Sequence, residues 1–200
     1  MTASQDEQQW DSRYGGSEGV WSAAPNPWVA TTISRWFTGR ALDLGAGQGP
    51  HSVWLAALGW EVTAVDSSAT GIERGRGGAE DVGVHVDWVV ADVRTWQPPA
   101  GVLFDLVLVA YAPCGQDVLA RARDWLAPGG SLVVIGHGSG ILTGKVGDPS
   151  ESHPPYTQAG LCAASQGLVV EQLGEVIRHL PDGDAVDLTL VARRPIRAQP

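Results

Sequence analysis

The rhythm of apolar positions changes repeatedly along this chain. Trp28, Val29, Thr32, Ile33, Trp36 and Phe37 recur at helical spacing. They predict a helix whose apolar face, Trp28 and Trp36 included, is core. Asn26 is its N-cap, Pro27 its first residue and Gly39 its end. Ala41 to Leu44 is a short apolar run and reads as a buried strand. Val53, Trp54, Ala57 and Leu58 mark the buried side of the next helix, which Gly59 stops. Glu61 to Val65 is a second strand. Ser67 or Ser68 caps the helix after it, which Gly71, Gly75, Gly77 and Gly78 predict to be poor and short. Val84, Val86, Trp88 and Val90 alternate along one face of a third strand.

Phe104 to Ala110 is almost wholly apolar, the mark of a central strand buried on both faces. Asp117 to Leu126 reads as a helix with Val118, Leu119, Ala122, Trp125 and Leu126 inward. Ala127-Pro128-Gly129-Gly130 predicts a tight turn into a fifth strand, Ser131 to Gly136. An irregular stretch from His137 to Tyr156 follows, long enough to be a site cover. A short helix spans Thr157 to Ser165. Leu168 to His179 and Ala185 to Arg193 are strands whose connection is short enough for a hairpin, so they run antiparallel. The alternation predicts an α/β fold: a doubly wound, Rossmann-like, seven-stranded sheet, mostly parallel with a C-terminal antiparallel hairpin, helices on both faces. Ligands bind such sheets beyond the C-terminal strand ends. The turn after Leu44, Asp66, Asp92, Tyr111 and His137 all follow strand ends and are expected along one edge.

Two hundred residues fit one domain with a sizeable core. Residues 1–9 are a polar, disordered start, 10–195 the domain (10–39 its N-terminal lid and helix) and 196–200 a tail. A net charge of −9 argues against a broad nucleic-acid or anionic-membrane surface. Cys114 and Cys162 give neither metal-ligand spacing nor a disulfide framework and point to a reducing compartment, the cytoplasm. Residues 1–9 hold no signal-peptide core, and no apolar run nears the roughly 18 residues of a membrane helix.

The candidate chemistry starts at Asp43-Leu44-Gly45-Ala46-Gly47-Gln48-Gly49-Pro50. Strand, glycine turn and helix N-terminus bring free backbone N–H groups to a ligand. Asp66, ending the second strand, is placed to accept hydrogen bonds from both ribose hydroxyls. A dinucleotide fingerprint needs G-x-G-x-x-G, but the glycines run G-x-G-x-G and Pro50 takes the third place. Asp43 suits a cation, an ammonium or a sulfonium, better than a pyrophosphate.

This stretch with Asp66 resembles the first two motifs of class I S-adenosylmethionine-dependent methyltransferases, and Leu126-Ala127-Pro128-Gly129-Gly130-Ser131-Leu132 is also typical of them. The likeness covers roughly Trp10 to Pro195. Within the superfamily the chain is most similar to the small tellurite-resistance and thiopurine methyltransferase-like group, through Trp10-Asp11-Ser12-Arg13-Tyr14, Trp21, Pro25-Asn26-Pro27 and Ile135-Gly136-His137.

The resemblance implies methyl transfer from S-adenosyl-L-methionine to a small molecule, leaving S-adenosyl-L-homocysteine. It implies that Asp43, Gly45, Ala46 and Gly47 line the methionine end. Asp66 holds the ribose and Ser67 lies beside the adenine. Asp92 and the Val93 N–H face the adenine amino edge, and Ala110 and Tyr111 flank the sulfonium. The Trp10 to Asn26 segment is a lid, with Trp21 its plausible contact. Arg13 pairs either with the cofactor carboxylate or with a surface acid. Capping alone explains Asn26, and a cofactor contact there comes only from the resemblance.

Ala112-Pro113-Cys114-Gly115 lacks the Asn/Asp-Pro-Pro-aromatic motif of amino-methylating nucleic-acid enzymes. His137-Gly138 carries glycine where the subgroup tends to have an acid. No metal is implied. A base is needed only if the acceptor holds a proton; His137 is the candidate, with a backbone-bonded loop histidine the plain alternative, and Tyr111 is a cofactor wall before a catalyst. The expected state is monomer or homodimer. A non-catalytic cofactor-binding regulatory module and an NAD-dependent dehydrogenase are the rival readings; Asp43 and Pro50 oppose the second.

Overall fold

The computed structural model describes residues 11–12, 24–112, 114–138, 156–180 and 183–196. In chain order these hold α1 (Pro27–Ile33), β1 (Arg40–Leu44), α2 (Pro50–Ala57), β2 (Glu61–Asp66), α3 (Ala69–Val82), β3 (Asp87–Val90), β4 (Phe104–Ala110), α4 (Gly115–Asp124), β5 (Leu126–His137), α5 (Gln158–Ala164), β6 (Val169–Leu180) and β7 (Gly183–Arg193). The strands form one seven-stranded sheet, ordered β3-β2-β1-β4-β5-β7-β6. β1, β2 and β3 pair in parallel, while β7 runs antiparallel to both β5 and β6. This is the expected mixed sheet with a terminal hairpin. The chain divides into two compact units, Met1–Phe104 and Asp105–Pro200.

In the first unit, the Asn26 side chain accepts the N–H groups of Trp28 at 2.9 Å and Val29 at 3.3 Å, and Pro27 occupies the first turn. Val29 and Ile33 are buried. The helix ends six residues before Gly39, so the periodicity fails there. Phe37 is 99% exposed instead of core, and Trp28 and Trp36 are only half-buried. The expected face of α2 is also corrected. Its buried residues are His51, Ser52 and Leu55, whereas Ala57 and Leu58 are exposed. Two polar anchors set this rotation: Ser52 Oγ donates to Asp43 at 2.6 Å, and His51 Nε2 accepts the Asn26 N–H at 3.1 Å.

α3 spans 14 residues, not a short helix. Gly75 serves packing: a Cβ there would meet the Trp88 indole at 2.5 Å and the Gln48 carbonyl at 3.0 Å. The helix gives up propensity at Gly75 to approach β3 closely. β3 is shorter than the alternation from Val84 implied, and Val90 is exposed.

In the second unit, β4 has the predicted bounds and is buried at Phe104 and from Leu106 to Val109. The turn expected at Ala127–Gly130 is instead part of β5. Backbone pairing keeps the segment extended: Gly129 N–H donates to the Arg194 carbonyl at 2.9 Å, and Arg194 N–H to the Gly130 carbonyl at 2.8 Å. The Arg194 guanidinium also donates to the Leu126 carbonyl. β7 is buried from Asp187 to Ala192, as befits a strand flanked on both sides, and β6 is the edge. Residues 139–155, the expected cover, lie outside the described residues.

Candidate active site

The first constellation lies in the unit Met1–Phe104, at the ends of β1 and β2. Gly45, Gly47 and Gly49 have φ of 75°, 58° and 72°, values that glycine adopts without steric cost. The turn is pinned from several sides. The Val65 carbonyl accepts the N–H groups of Gly45 at 2.8 Å and Ala46 at 3.1 Å, and Gly49 N–H donates to the Ala46 carbonyl at 2.8 Å. Gly47 N–H donates to Asp66 Oδ2 at 2.8 Å. The Trp88 indole backs the turn so closely that a Cβ on Gly49 would overlap it.

Asp66 links two parts of this site. Besides the Gly47 N–H, it accepts the Ser68 N–H at 2.8 Å on Oδ1, joining the glycine turn to the start of α3. Ser68 caps that helix through Gly71 N–H, and its hydroxyl donates to Asp11 Oδ1 at 2.5 Å. Asp11 Oδ1 also accepts the Thr70 N–H at 3.1 Å, so this N-terminal residue seats beside the Asp66 corner. Burial pushes the Asp66 carboxyl up, against the backbone N–H groups it accepts. A carboxylate has about four acceptor sites, so capacity remains for a ligand hydroxyl.

Asp43 is 1% exposed. Burial pushes its carboxyl up to about 7, against the pull of the Ser52 hydrogen bonds and with a further push from Asp66. It holds α2 through Ser52. Gln48 Nε2 is buried without a hydrogen-bond partner. An orphaned donor in a ligand turn fits a group that brings acceptors. Sequence reading gave Gln48 no role, although it lies between two of the turn glycines.

The other predicted residues of this unit are placed as follows. Ser67 is half-buried, next to the cap Ser68. The Asp92 carboxylate is held by Arg94, whose Nε reaches both oxygens at 3.0 Å and whose backbone N–H donates at 2.8 Å. Val93 is half-buried beside it. Asn26 spends its side-chain oxygen on the cap and its N–H on His51, whose imidazole burial drives down to about 4. Arg13 and Trp21 lie outside the described residues.

The second constellation lies in the unit Asp105–Pro200. Ala110 ends β4, and Tyr111 follows with φ of 55°, sparsely populated for a non-glycine residue. Its N–H donates to the Ile135 carbonyl at 2.8 Å, and its hydroxyl to Asp187 Oδ2 at 2.6 Å. His137, ending β5, places Nδ1 3.2 Å from Asp187 Oδ1. Arg178 donates through Nε to Asp187 Oδ2 at 3.0 Å and lies 5.6 Å over the Tyr111 ring. These three partners hold the Asp187 carboxyl below its ordinary value although it is 1% exposed. Burial and the neighbouring Asp187 push the Tyr111 phenol far up. Nearby, Tyr156 OH donates to the Ala112 carbonyl at 2.5 Å and sits 3.5 Å from Cys114 Sγ.

Sequence reading singled out Tyr111 and His137 but missed Asp187 and Arg178. The available signal was a lone acid inside the apolar run Ala185 to Ala192. Among the described residues no three His, Cys, Asp or Glu side chains gather as metal ligands.

A glycine turn on a strand end, followed by a ribose-type acid on the next strand, defines a nucleoside-cofactor site of the doubly wound kind. Residues 41–130 match a family model described as a methyltransferase domain. Over 102 residues the chain is 35% identical to a trans-aconitate 2-methyltransferase of Streptomyces coelicolor, an alignment covering 48% of this chain and 33% of that protein. Over 99 residues it is 32% identical to a ubiquinone biosynthesis O-methyltransferase of Caulobacter, covering 48% of this chain and 39% of that one. The chain thus spans about a third to two fifths of the length of these curated relatives. The fold matches that of the N-methyltransferase NodS of Bradyrhizobium japonicum, solved with S-adenosyl-L-homocysteine, with a TM-score of 0.73 and 18% identity, covering 96% of this chain and 100% of that one.

Residues 41–130 are therefore similar to a methyltransferase domain, and S-adenosylmethionine is the cofactor that the sequence resemblance implies. The residues present fit that cofactor. A buried acid stands beside the turn for a cation, a strand-end carboxylate has spare acceptor capacity, and the Gln48 amide lacks an acceptor.

Proposed function

We propose that the chain as a whole is an enzyme that transfers a methyl group from S-adenosylmethionine to a small-molecule acceptor. One observation carries this reading. Asp66 bonds the glycine turn and the α3 start at once and retains acceptor capacity for the ribose. Asp43, Gly45, Ala46 and Gly47 then face the methionine end, Ser67 the adenine, and Asp92 with the Val93 N–H its amino edge. From the resemblance alone, Ala110 and Tyr111 are assigned to the sulfonium and Asn26 to a cofactor contact. When bound, the cofactor supplies an activated methyl group. The chain's part is to orient the acceptor and exclude water.

The relatives' printed names carry small molecules, trans-aconitate and ubiquinone. The net charge of −9 disfavours nucleic acid as acceptor and anionic membranes as a surface. No helix among the described residues is long and apolar enough to cross a membrane. The finer placement in the tellurite-resistance and thiopurine group rests on the sequence likeness at Trp10–Tyr14, Trp21, Pro25-Asn26-Pro27 and Ile135-Gly136-His137 alone.

Calorimetry with Asp66→Ala tests the site. The variant should bind S-adenosylmethionine at least about tenfold more weakly, the loss of one charged hydrogen bond. Unchanged affinity would sink the ribose assignment. Binding of NADH but of neither S-adenosylmethionine nor its demethylated product would sink the function.

A further inference from the structure

We infer that the outer strand β6 is a self-association edge. Two copies of the chain pair antiparallel through residues 173–179, about a two-fold axis at Ile177, and form a homodimer. The inference uses only residues of the unit Asp105–Pro200 and stands apart from the methyl-transfer reading.

Among the described residues β6 ends the sheet and pairs with β7 alone. Hydrogen bonding on the far side of β7 tells which β6 residues face the open side. The Val186 carbonyl accepts the Gly138 N–H at 3.1 Å, so Val186 turns its polar groups toward β5. The N–H and C=O of one residue in an antiparallel strand point the same way. Ile177 lies opposite Val186 and therefore makes no ladder bond to β7. Its N–H and C=O point outward, and by the period of two so do those of Leu173, Glu175 and His179. All four lie past the register shift at Val170/Gln172, so the alternation is unbroken.

Open edges are normally blunted by lysine, proline or a bulge. Residues 172–180 hold no lysine and no proline, and the register shift ends where they begin. Arg178 is turned inward to Asp187. Ile177 is 58% exposed, and the His179 side chain 81%. Antiparallel pairing of β6 with itself could centre on several residues, and charge selects among them. Centred on Glu175, two carboxylates face each other, which is destabilising. Centred on Val176, Glu175 faces Ile177 of the second copy. Centred on Ile177, Glu175 of each copy faces His179 of the other, and the two Ile177 side chains meet at the axis.

His179 Nδ1 already lies 2.7 Å from Asp184 Oδ1, so in this register the imidazole bridges carboxylates of both copies. Each opposed pair of outward residues exchanges both N–H···O bonds. The two-fold axis makes the contact self-complementary and closed, so association stops at the dimer. One strand per copy is a small interface, at the low end of the roughly 800 Å² per partner of stable complexes. A dimer Kd of about 10 μM is therefore expected.

Sedimentation equilibrium and hydrogen exchange read residue by residue test this on the full chain. The wild type should pass from 21.0 kDa to twice that mass as concentration rises. Between about 2 and about 200 μM the Glu175, Ile177 and His179 amides should slow about fivefold, as the monomer fraction falls. The Val176 and Arg178 amides, already bonded to β7, should not change. Ile177→Lys sets like charges together at the axis and should raise Kd at least about tenfold. Glu175→Lys should also weaken the dimer, and adding His179→Glu should restore it to within about threefold of wild type. All three side chains are exposed, and circular dichroism checks that each variant folds. Should Ile177→Lys fail to fold, the charge reversal still decides. A monomer at about 200 μM, a dimer indifferent to Ile177→Lys, slowing on Val176 and Arg178 instead, or no rescue by the double reversal would each overturn the proposal.

Discussion

Asp43→Asn removes a buried charge without changing size, and its effect on stability must depend on pH. The native carboxyl holds its proton up to about 7, against 3.8 for an ordinary aspartate. Between those values the native state binds one proton more than the unfolded chain. Wild-type stability therefore falls as pH rises through this window, by about 1.4 kcal/mol per pH unit, or about 4 kcal/mol in all. Asparagine does not titrate and lacks this slope. His51 acts in the opposite sense. Burial lowers it from 6.5 to about 4, so the unfolded chain takes the extra proton, and stability is lost as pH falls below 6.5. Both proteins share that term, so the observable is the difference between them. Urea unfolding followed by fluorescence of the nine tryptophans at pH 4, 5.5, 7 and 8.5 measures it. The variant should gain on the wild type by roughly 4 kcal/mol from the lowest pH to the highest, while its affinity for the cationic cofactor falls. A difference constant to within about 1 kcal/mol across that range would refute a proton-holding Asp43.

Gly75→Ala and Gly77→Ala separate packing from propensity in one helix. A Cβ on Gly77 meets nothing within 4 Å, so its alanine should stabilise by about 1 kcal/mol. The same gain at Gly75 is outweighed by overpacking against Trp88, with a net loss of about 1–2 kcal/mol in urea midpoint analysis; equal shifts would show that the indole yields freely. Asn26→Ala removes the cap of α1 and should cost about 1 kcal/mol by the same assay, and no change would mean the helix start is held by His51 alone.

What the chain alone determined is what depends on near neighbours. Gly45, Gly47 and Gly49 alternate because only glycine turns that way after a buried strand, and Asp66 closes the next strand within the same local unit, so the pinned corner between Gly47 and Asp66 was legible. β4 was legible because a strand covered on both faces cannot vary in polarity. Tertiary structure decided the rest. The face of α2 is set by Ser52 reaching Asp43 and by His51 meeting Asn26, polar anchors that apolar periodicity does not register. The glycines of α3 all read as weakness until the Trp88 ring beside Gly75 showed that one to be clearance. Ala127–Gly130 reads as a turn, but pairing with Arg194 makes it strand. Asp187 meets Tyr111 and His137 from 76 and 50 residues away because strand register brings them together. Such pairing is a property of the assembled sheet, and no local pattern of residues encodes it.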